Sequence, residues 1–233
     1  MGTSVDSFAD PLAKALWDAR ERGVTVSSAQ AWSDLSRERA DDVSTALYQR
    51  LGPIAPPAWK MGAFDEETQL RLGLAGPLVA PVLSDRMHVG ASTVSLRLRD
   101  FAQPKLEAEV GIRTDNGRPT LVPCVEVADC RFADWALPPF AAVADFGLQG
   151  AMVFGCGTAP VDEIHVDVSH DGVPVGSGRA TWSDAVRRLS VLPDVHGETV
   201  YVATGAMTPM FPALPGVWEF DFRGLATLVL GFT

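Results

Sequence analysis

Glu107 and Glu109 stand one residue apart in Lys105-Leu-Glu-Ala-Glu-Val-Gly-Ile112. In an extended strand the side chains alternate faces, so Leu106, Ala108, Val110 and Ile112 form an apolar row while the two glutamates stand together opposite it. A lone Glu-x-Glu is also what the wet face of an amphipathic strand looks like. Glu126 weighs against that alternative. It interrupts Leu121-Val-Pro-Cys-Val-Glu-Val-Ala128, a run apolar enough to be buried, where a carboxylate calls for a cationic partner. Three ionised carboxylates lining one cavity about 4 Å apart would repel by roughly 4 kcal/mol per pair at an effective dielectric near 20. Protonation relieves that repulsion, and so does a divalent cation. Carboxylate oxygens suit Mg²⁺ or Mn²⁺ better than Zn²⁺. Spacing alone does not show that the three converge.

Further strings fall in a recognisable order: Trp59-Lys-Met-Gly62, Gln103-Pro-Lys-Leu-Glu-Ala-Glu109, Val125-Glu-Val127, Asp134-Trp135, Ala144-Asp145 and Ala203-Thr-Gly-Ala-Met-Thr-Pro-Met210. Together they resemble the 2-keto-4-pentenoate hydratase and 4-oxalocrotonate decarboxylase branch of the fumarylacetoacetate hydrolase superfamily, from about Ala46 to the C-terminus. The resemblance implies that Glu107, Glu109 and Glu126 ligate Mg²⁺ or Mn²⁺ and that the ion chelates a small 2-oxo or 2-hydroxy acid. It also implies that Lys60 handles a proton or stabilises charge; without it, Lys60 reads as a surface lysine. Thr204 and Gly205 lie in a segment able to offer donors to a carboxylate, although the same residues make a tight turn. Asp145 and Ser177 resemble pocket elements and are expected to support substrate binding. Asp134-Trp135 is expected to anchor packing.

The implied activity is a metal-dependent lyase adding water to a 2-hydroxy-2,4-dienoate to give a 4-hydroxy-2-oxo acid. The alternatives are a 4-oxalocrotonate-type decarboxylase of a 2-oxo acid, or a non-catalytic partner homologue. Departures from the pattern lie in the pocket wall: Leu78 or a neighbour stands where an acid is common, Phe146 follows Asp145 where Asn is common, and no His-Pro pair follows Ser177-Gly178. His88, His165, His170 and His196 fall outside every motif and are expected at the surface, which argues against the superfamily's histidine-dependent C–C hydrolases.

A net charge of −10 and a pI near 4.8 argue against non-specific nucleic-acid binding, which needs clustered Lys and Arg. The 3 cysteines, Cys124, Cys130 and Cys156, suggest neither a disulfide framework nor a structural zinc site. No apolar run reaches about 18 residues and the N-terminus lacks a signal-peptide pattern, so a cytoplasmic protein with no membrane span is expected. By resemblance it is a homo-oligomer, with the apolar strand Leu225–Phe232 available for a subunit contact or for the core.

The elements that must position these residues give an α+β protein: a helical N-terminal cap (1–52) on a β-rich, fumarylacetoacetate-hydrolase-like mixed-sheet roll (53–233), together one domain (1–233). Asp10 as N-cap, Pro11 at the first helical position and Gly23 as stop predict one helix. A second is predicted over Asp41–Leu51 with Gly52 as terminator, followed by a proline-rich turn into a first strand at Trp59-Lys60. Strands are predicted around Val94–Leu98, Glu107–Ile112, Leu121–Val127, Ile164–Val168, Thr199–Thr204, Val217–Phe222 and Leu225–Phe232. His170-Asp-Gly172 and Arg223-Gly224 read as turns, and Phe132–Gly150 as a short helix and loop laid over the sheet.

Overall fold

In the computed structural model, residues 10–26, 32–51, 58–115, 117–192 and 199–233 are described. The predicted Gly52 terminator, most of the proline-rich turn and His196 lie outside them. The helices are α1 (Pro11–Arg22), α2 (Arg37–Leu51), α3 (Glu66–Leu72), α4 (Ala141–Ala144) and α5 (Trp182–Arg188). The strands are β1 (Ala58–Gly62), β2 (Leu78–Pro81), β3 (Met87–Val89), β4 (Thr93–Leu96), β5 (Pro104–Asp115), β6 (Arg118–Asp129), β7 (Gln149–Phe154), β8 (Glu163–His170), β9 (Val173–Thr181), β10 (Val200–Ala206), β11 (Phe211–Pro212), β12 (Gly216–Phe222) and β13 (Ala226–Phe232).

The chain is an α+β protein built on two mixed sheets. The larger runs β2-β1-β10-β5-β6-β7-β3, with β11 also paired to β5, and the smaller runs β4-β13-β12-β8-β9. Strand β1 pairs in parallel with β10 and antiparallel with β2, while β10, β5, β6 and β7 run antiparallel in turn. The apolar row of β5 does what its alternation predicts. Leu106, Ala108, Val110 and Ile112 are buried with Val125, Val127, Val166, Phe220 and Leu228 in the core between the sheets. Strand β13 lies inside the smaller sheet between β12 and β4, with Leu228, Leu230 and Phe232 buried. Of the apolar residues in the predicted strand Leu225–Phe232, Leu228, Leu230 and Phe232 serve the core, while Leu225 and Val229 are only partly buried.

The opposite face of the larger sheet carries the glutamates. It is roofed by a helical layer in which Leu16, Val43 and Leu47 pack with Trp32, Leu72, Phe132 and Phe146. Helix α1 forms as its caps dictate: the Asp10 side chain accepts from the backbone N–H groups of Leu12 and Ala13, and Gly23 takes φ 61°. Arg20, buried on α1, pairs with Asp85 just before β3 and pins the helix to the body. The segment 132–148 joins this layer through α4 and short turns, as expected, but Gln149 and Gly150 already belong to β7. Asp171 and Gly172, both at positive φ, make the tight β8–β9 turn. Among the described residues no helix is long and apolar enough to cross a membrane.

Candidate metal centre

Glu107 on β5 is registered directly against Glu126 on β6, and Glu109 sits one step along the same face opposite Cys124. Like charges directly opposed across a strand pair are destabilising unless something neutral or cationic intervenes. The three side chains nonetheless converge: one carboxylate oxygen from each lies within 4.8 Å of the others. All are buried, Glu107 at 8% exposure and Glu109 and Glu126 at 1% each.

Lys60 supplies the cationic partner that the burial of Glu126 demands. Its Nζ donates to Glu126 Oε1 and, at 2.7 Å, to the Gly147 carbonyl. Strands β1 and β6 stand three places apart in the sheet, about 14 Å if it were flat. Side chains perpendicular to a flat sheet would not meet over that distance, so the sheet must curl around this face. Gly147 takes φ 66°, and a Cβ there would lie 3.3 Å from Lys60 Cε, so the absence of a side chain keeps the lysine's path open.

The loop after β10 completes the cluster. A register shift between Ala203 and Ala206 bulges the strand, and the Gly205 N–H, at φ 98°, turns to donate to Glu109 Oε2 at 2.7 Å. The Thr204 hydroxyl donates to the Val110 carbonyl at 2.8 Å, and the Thr208 hydroxyl accepts from Ala108 N–H at 3.0 Å. Thr204 therefore braces the bulge with its side chain rather than presenting it to a ligand.

Electrostatics follow from this enclosure. Burial, reinforced by the charge of Glu126, raises Glu107 to about 7, and burial with both neighbouring carboxylates raises Glu109 well above the usual range. Burial pulls Lys60 down, but the charge and hydrogen bond of Glu126 outweigh it and leave the ammonium favoured. Three carboxylates against one ammonium leave two negative charges to balance. A hard divalent cation with oxygen ligands meets that requirement, so the donor set fits Mg²⁺ or Mn²⁺.

Glu107, Glu126 and Lys60 line a cavity of about 560 Å³, with Glu109 just behind them. One wall is apolar, formed by Leu72, Leu78, Leu137, Ala142 and Leu148, and Trp135 joins it. Leu78, in the stretch where an acid is common in the resembled pattern, thus faces the cavity as hydrocarbon. Trp135 is more than a packing anchor: it lines the cavity while its Nε1–H donates to the Gln103 carbonyl. The other wall carries Phe64, Gly205, Ala206 and Arg188, and Asp65 and Arg71 stand at exposed positions of the lining.

Two expected pocket residues lie elsewhere. Asp145 is 2% exposed and both its oxygens accept from Arg131 Nε at 2.7 Å, so its charge is spent on a buried guanidinium that also reaches Asp129. Ser177 sits on β9 at the edge of the smaller sheet, exposed and paired with Asp167. Its neighbour Gly178 is the informative residue, because a Cβ there would lie 2.1 Å from the Met207 carbonyl. Of the described histidines, His165 is partly exposed beside Glu163 and His170 stacks on Trp218. Arg188 was not singled out from sequence. It follows Arg187 in what looks like a surface charge pair, and only the Thr181 N-cap, which accepts from Asp184 N–H, hints at the helix that carries it.

No family model matches the chain. The 2-keto-4-pentenoate hydratase of Paraburkholderia xenovorans strain LB400 is 28% identical over 200 residues, covering 72% of this chain and 73% of the relative. Among solved structures, 4-oxalocrotonate decarboxylase from Pseudomonas putida G7, complexed with magnesium and adipate, superposes with a TM-score of 0.80 at 18% identity, covering 95% of this chain and 96% of that one. Fumarylpyruvate hydrolase from Pseudomonas aeruginosa, in complex with Mn²⁺ and pyruvate, reaches 0.56 at 11% identity over 76% of this chain and 88% of its own.

Proposed function

We propose that this chain, which falls in the 2-keto-4-pentenoate hydratase and 4-oxalocrotonate decarboxylase branch of the fumarylacetoacetate hydrolase superfamily, is a metal-dependent hydro-lyase. It adds water to a 2-hydroxy-2,4-dienoate to give a 4-hydroxy-2-oxo acid. The observation that carries this is the buried trio Glu107, Glu109 and Glu126 with Lys60 at the floor of a substrate-sized cavity. Similarity to the named hydratase agrees with it.

The dienol must take up a proton at its far end, and water must then add to the resulting conjugated enone. The first step draws electron density off the C2 oxygen as the enol proton leaves it, and the conjugate addition of water returns negative charge to that oxygen until a proton is taken up at C3. Glu107, Glu109 and Glu126 would hold the divalent ion, which would supply Lewis acidity toward a chelating 2-oxo or 2-hydroxy acid. Lys60 enters as an ammonium, fixed by Glu126 and the Gly147 carbonyl, and carries a proton at Nζ on the cavity floor. Gly205 N–H holds Glu109 in place. The apolar wall excludes bulk water from the conjugated system.

In this setting the enzyme is a cytoplasmic homo-oligomer of aromatic-compound breakdown using Mg²⁺ or Mn²⁺. A second reading, decarboxylation of a vinylogous 2-oxo diacid, draws on the fold shared with the decarboxylase and on Arg71 at the lining, a cation for a distal carboxylate. One assay separates the two. Hydration bleaches the near-ultraviolet absorbance of the dienol without gas release, whereas decarboxylation liberates carbon dioxide. Either activity should vanish with chelator and return with Mg²⁺ or Mn²⁺. Turnover that survives exhaustive chelation would overturn the metal-dependent mechanism.

A further inference from the structure

Among the described residues, Arg188 is a cation in the cavity wall with no carboxylate at ion-pair distance, whereas its neighbour Arg187 is paired with Asp184. Its NH1 donates to the Thr204 carbonyl at 2.6 Å and its guanidinium lies 4.2 Å over the Phe64 ring. One backbone carbonyl and one aromatic face fix the guanidinium while most of its five N–H donors stay available.

The local backbone is shaped around this side chain. Gly205 takes φ 98°, and a Cβ there would lie 3.0 Å from Arg188 NH1 and 3.1 Å from the Phe64 ring. The same residue's N–H holds Glu109. A two-residue bulge, Thr204-Gly205, thus grips Arg188 through one carbonyl and a carboxylate of the trio through the next amide. That links the guanidinium to the carboxylate end of the cavity, close enough for the charge of Glu109 to act on it.

We propose that Arg188 is a substrate-binding residue that holds the C1 carboxylate of the keto-acid substrate. This rests on the keto-acid function proposed above and adds to it the group that recognises the acid. A planar guanidinium, already stacked and hydrogen-bonded, gives up little freedom when it forms a charge-assisted contact to a carboxylate.

The test is binding rather than turnover. Mn²⁺-loaded protein is titrated calorimetrically with 2-oxopentanoate, which has one carboxylate and an alkyl tail, and with 2-oxoadipate, which adds a distal carboxylate. Arg188→Met should weaken both ligands by the same factor, about 10- to 100-fold, while Mn²⁺ affinity and the melting temperature stay near wild type. Arg188→Lys, which keeps the charge but loses the fork and the stack, should fall between the two. Selective loss of 2-oxoadipate would mean that Arg188 holds a distal carboxylate and would overturn the proposal. Unchanged binding of both ligands would overturn it too, while leaving the hydro-lyase function intact. If the wild-type protein bound neither keto acid, the keto-acid function itself would fall and this proposal with it.

Discussion

Removing divalent ions should make the protein less stable as pH rises, because the carboxylate trio then has only Lys60 to balance it. Burial, helped by the charge of Glu126, lifts Glu107 from 4.5 to about 7. An acid whose folded pKa lies above its unfolded value stabilises the fold fully below the unfolded pKa. That stabilisation is lost as pH climbs through the folded pKa, so the window runs from 4.5 to about 7. At about 1.4 kcal/mol per pH unit, Glu107 alone accounts for roughly 3 kcal/mol, a large share of a typical folding stability of about 5–15 kcal/mol. Glu109 shifts the same way and steepens the slope. Asp145, pushed up to about 6 chiefly by burial, adds to it, while burial holds His88 below its ordinary value and works in the opposite sense. The difference between wild type and Glu107→Gln removes those background contributions. Urea unfolding in chelator from about pH 4.5 to about pH 8.5 should show wild type losing about 3 kcal/mol more than Glu107→Gln across the window. Adding Mn²⁺ should reverse the wild-type slope, since the ion competes with protons for the same oxygens. Parallel curves for wild type and the Glu107→Gln variant in chelator would refute this account of the trio.

Glu109→Gln should cost about 100-fold or more in Mn²⁺ affinity, by calorimetry, with little unfolding, because the amide oxygen can still accept from Gly205 N–H. Lys60→Met should retain Mn²⁺ and lose about 100- to 10,000-fold in kcat for the dienoate, read by absorbance. Asp145→Asn should leave KM within about twofold while destabilising the fold by about 1.5–3 kcal/mol in urea unfolding, because it leaves the buried Arg131 with Asp129 as its one remaining carboxylate partner.

Local chemistry made much of the frame legible. Helix α1 begins and ends where Asp10, Pro11 and Gly23 place it, since caps act within one turn. The period-2 alternation of Leu106–Ile112 determined which way Glu107 and Glu109 face. What local patterns could not show is curvature. Lys60 reaches Glu126 because β1 pairs with β10 and the sheet then curls, and neither residue's neighbours encode that meeting. The seven-residue helices α3 and α5 went unpredicted because each spans barely two turns, although Asp65 with Gly73 and Thr181 with Asp184 are readable caps. Asp145, expected in the pocket by resemblance, lies elsewhere because its charge goes to a buried Arg131, a partner its sequence neighbours do not reveal.

Leu78 then acquires a physical meaning. With three carboxylates, one ammonium and a divalent ion, the floor of the site is formally neutral, and Arg188 leaves one positive charge in the wall. A substrate with a single carboxylate cancels that charge. An additional acid at position 78 would leave one negative charge unmatched in a desolvated cavity once that substrate was bound, at a cost of several kcal/mol. A dicarboxylate would pose the same problem unless its second charge lay out by Arg71, where solvent reaches it. The hydrocarbon at position 78 is therefore consistent with a site already balanced for a monoanion. Leu78→Asp should accordingly weaken 2-oxopentanoate binding by about tenfold or more while sparing Mn²⁺ affinity, whereas tighter keto-acid binding in that variant would contradict the charge balance argued for the cavity.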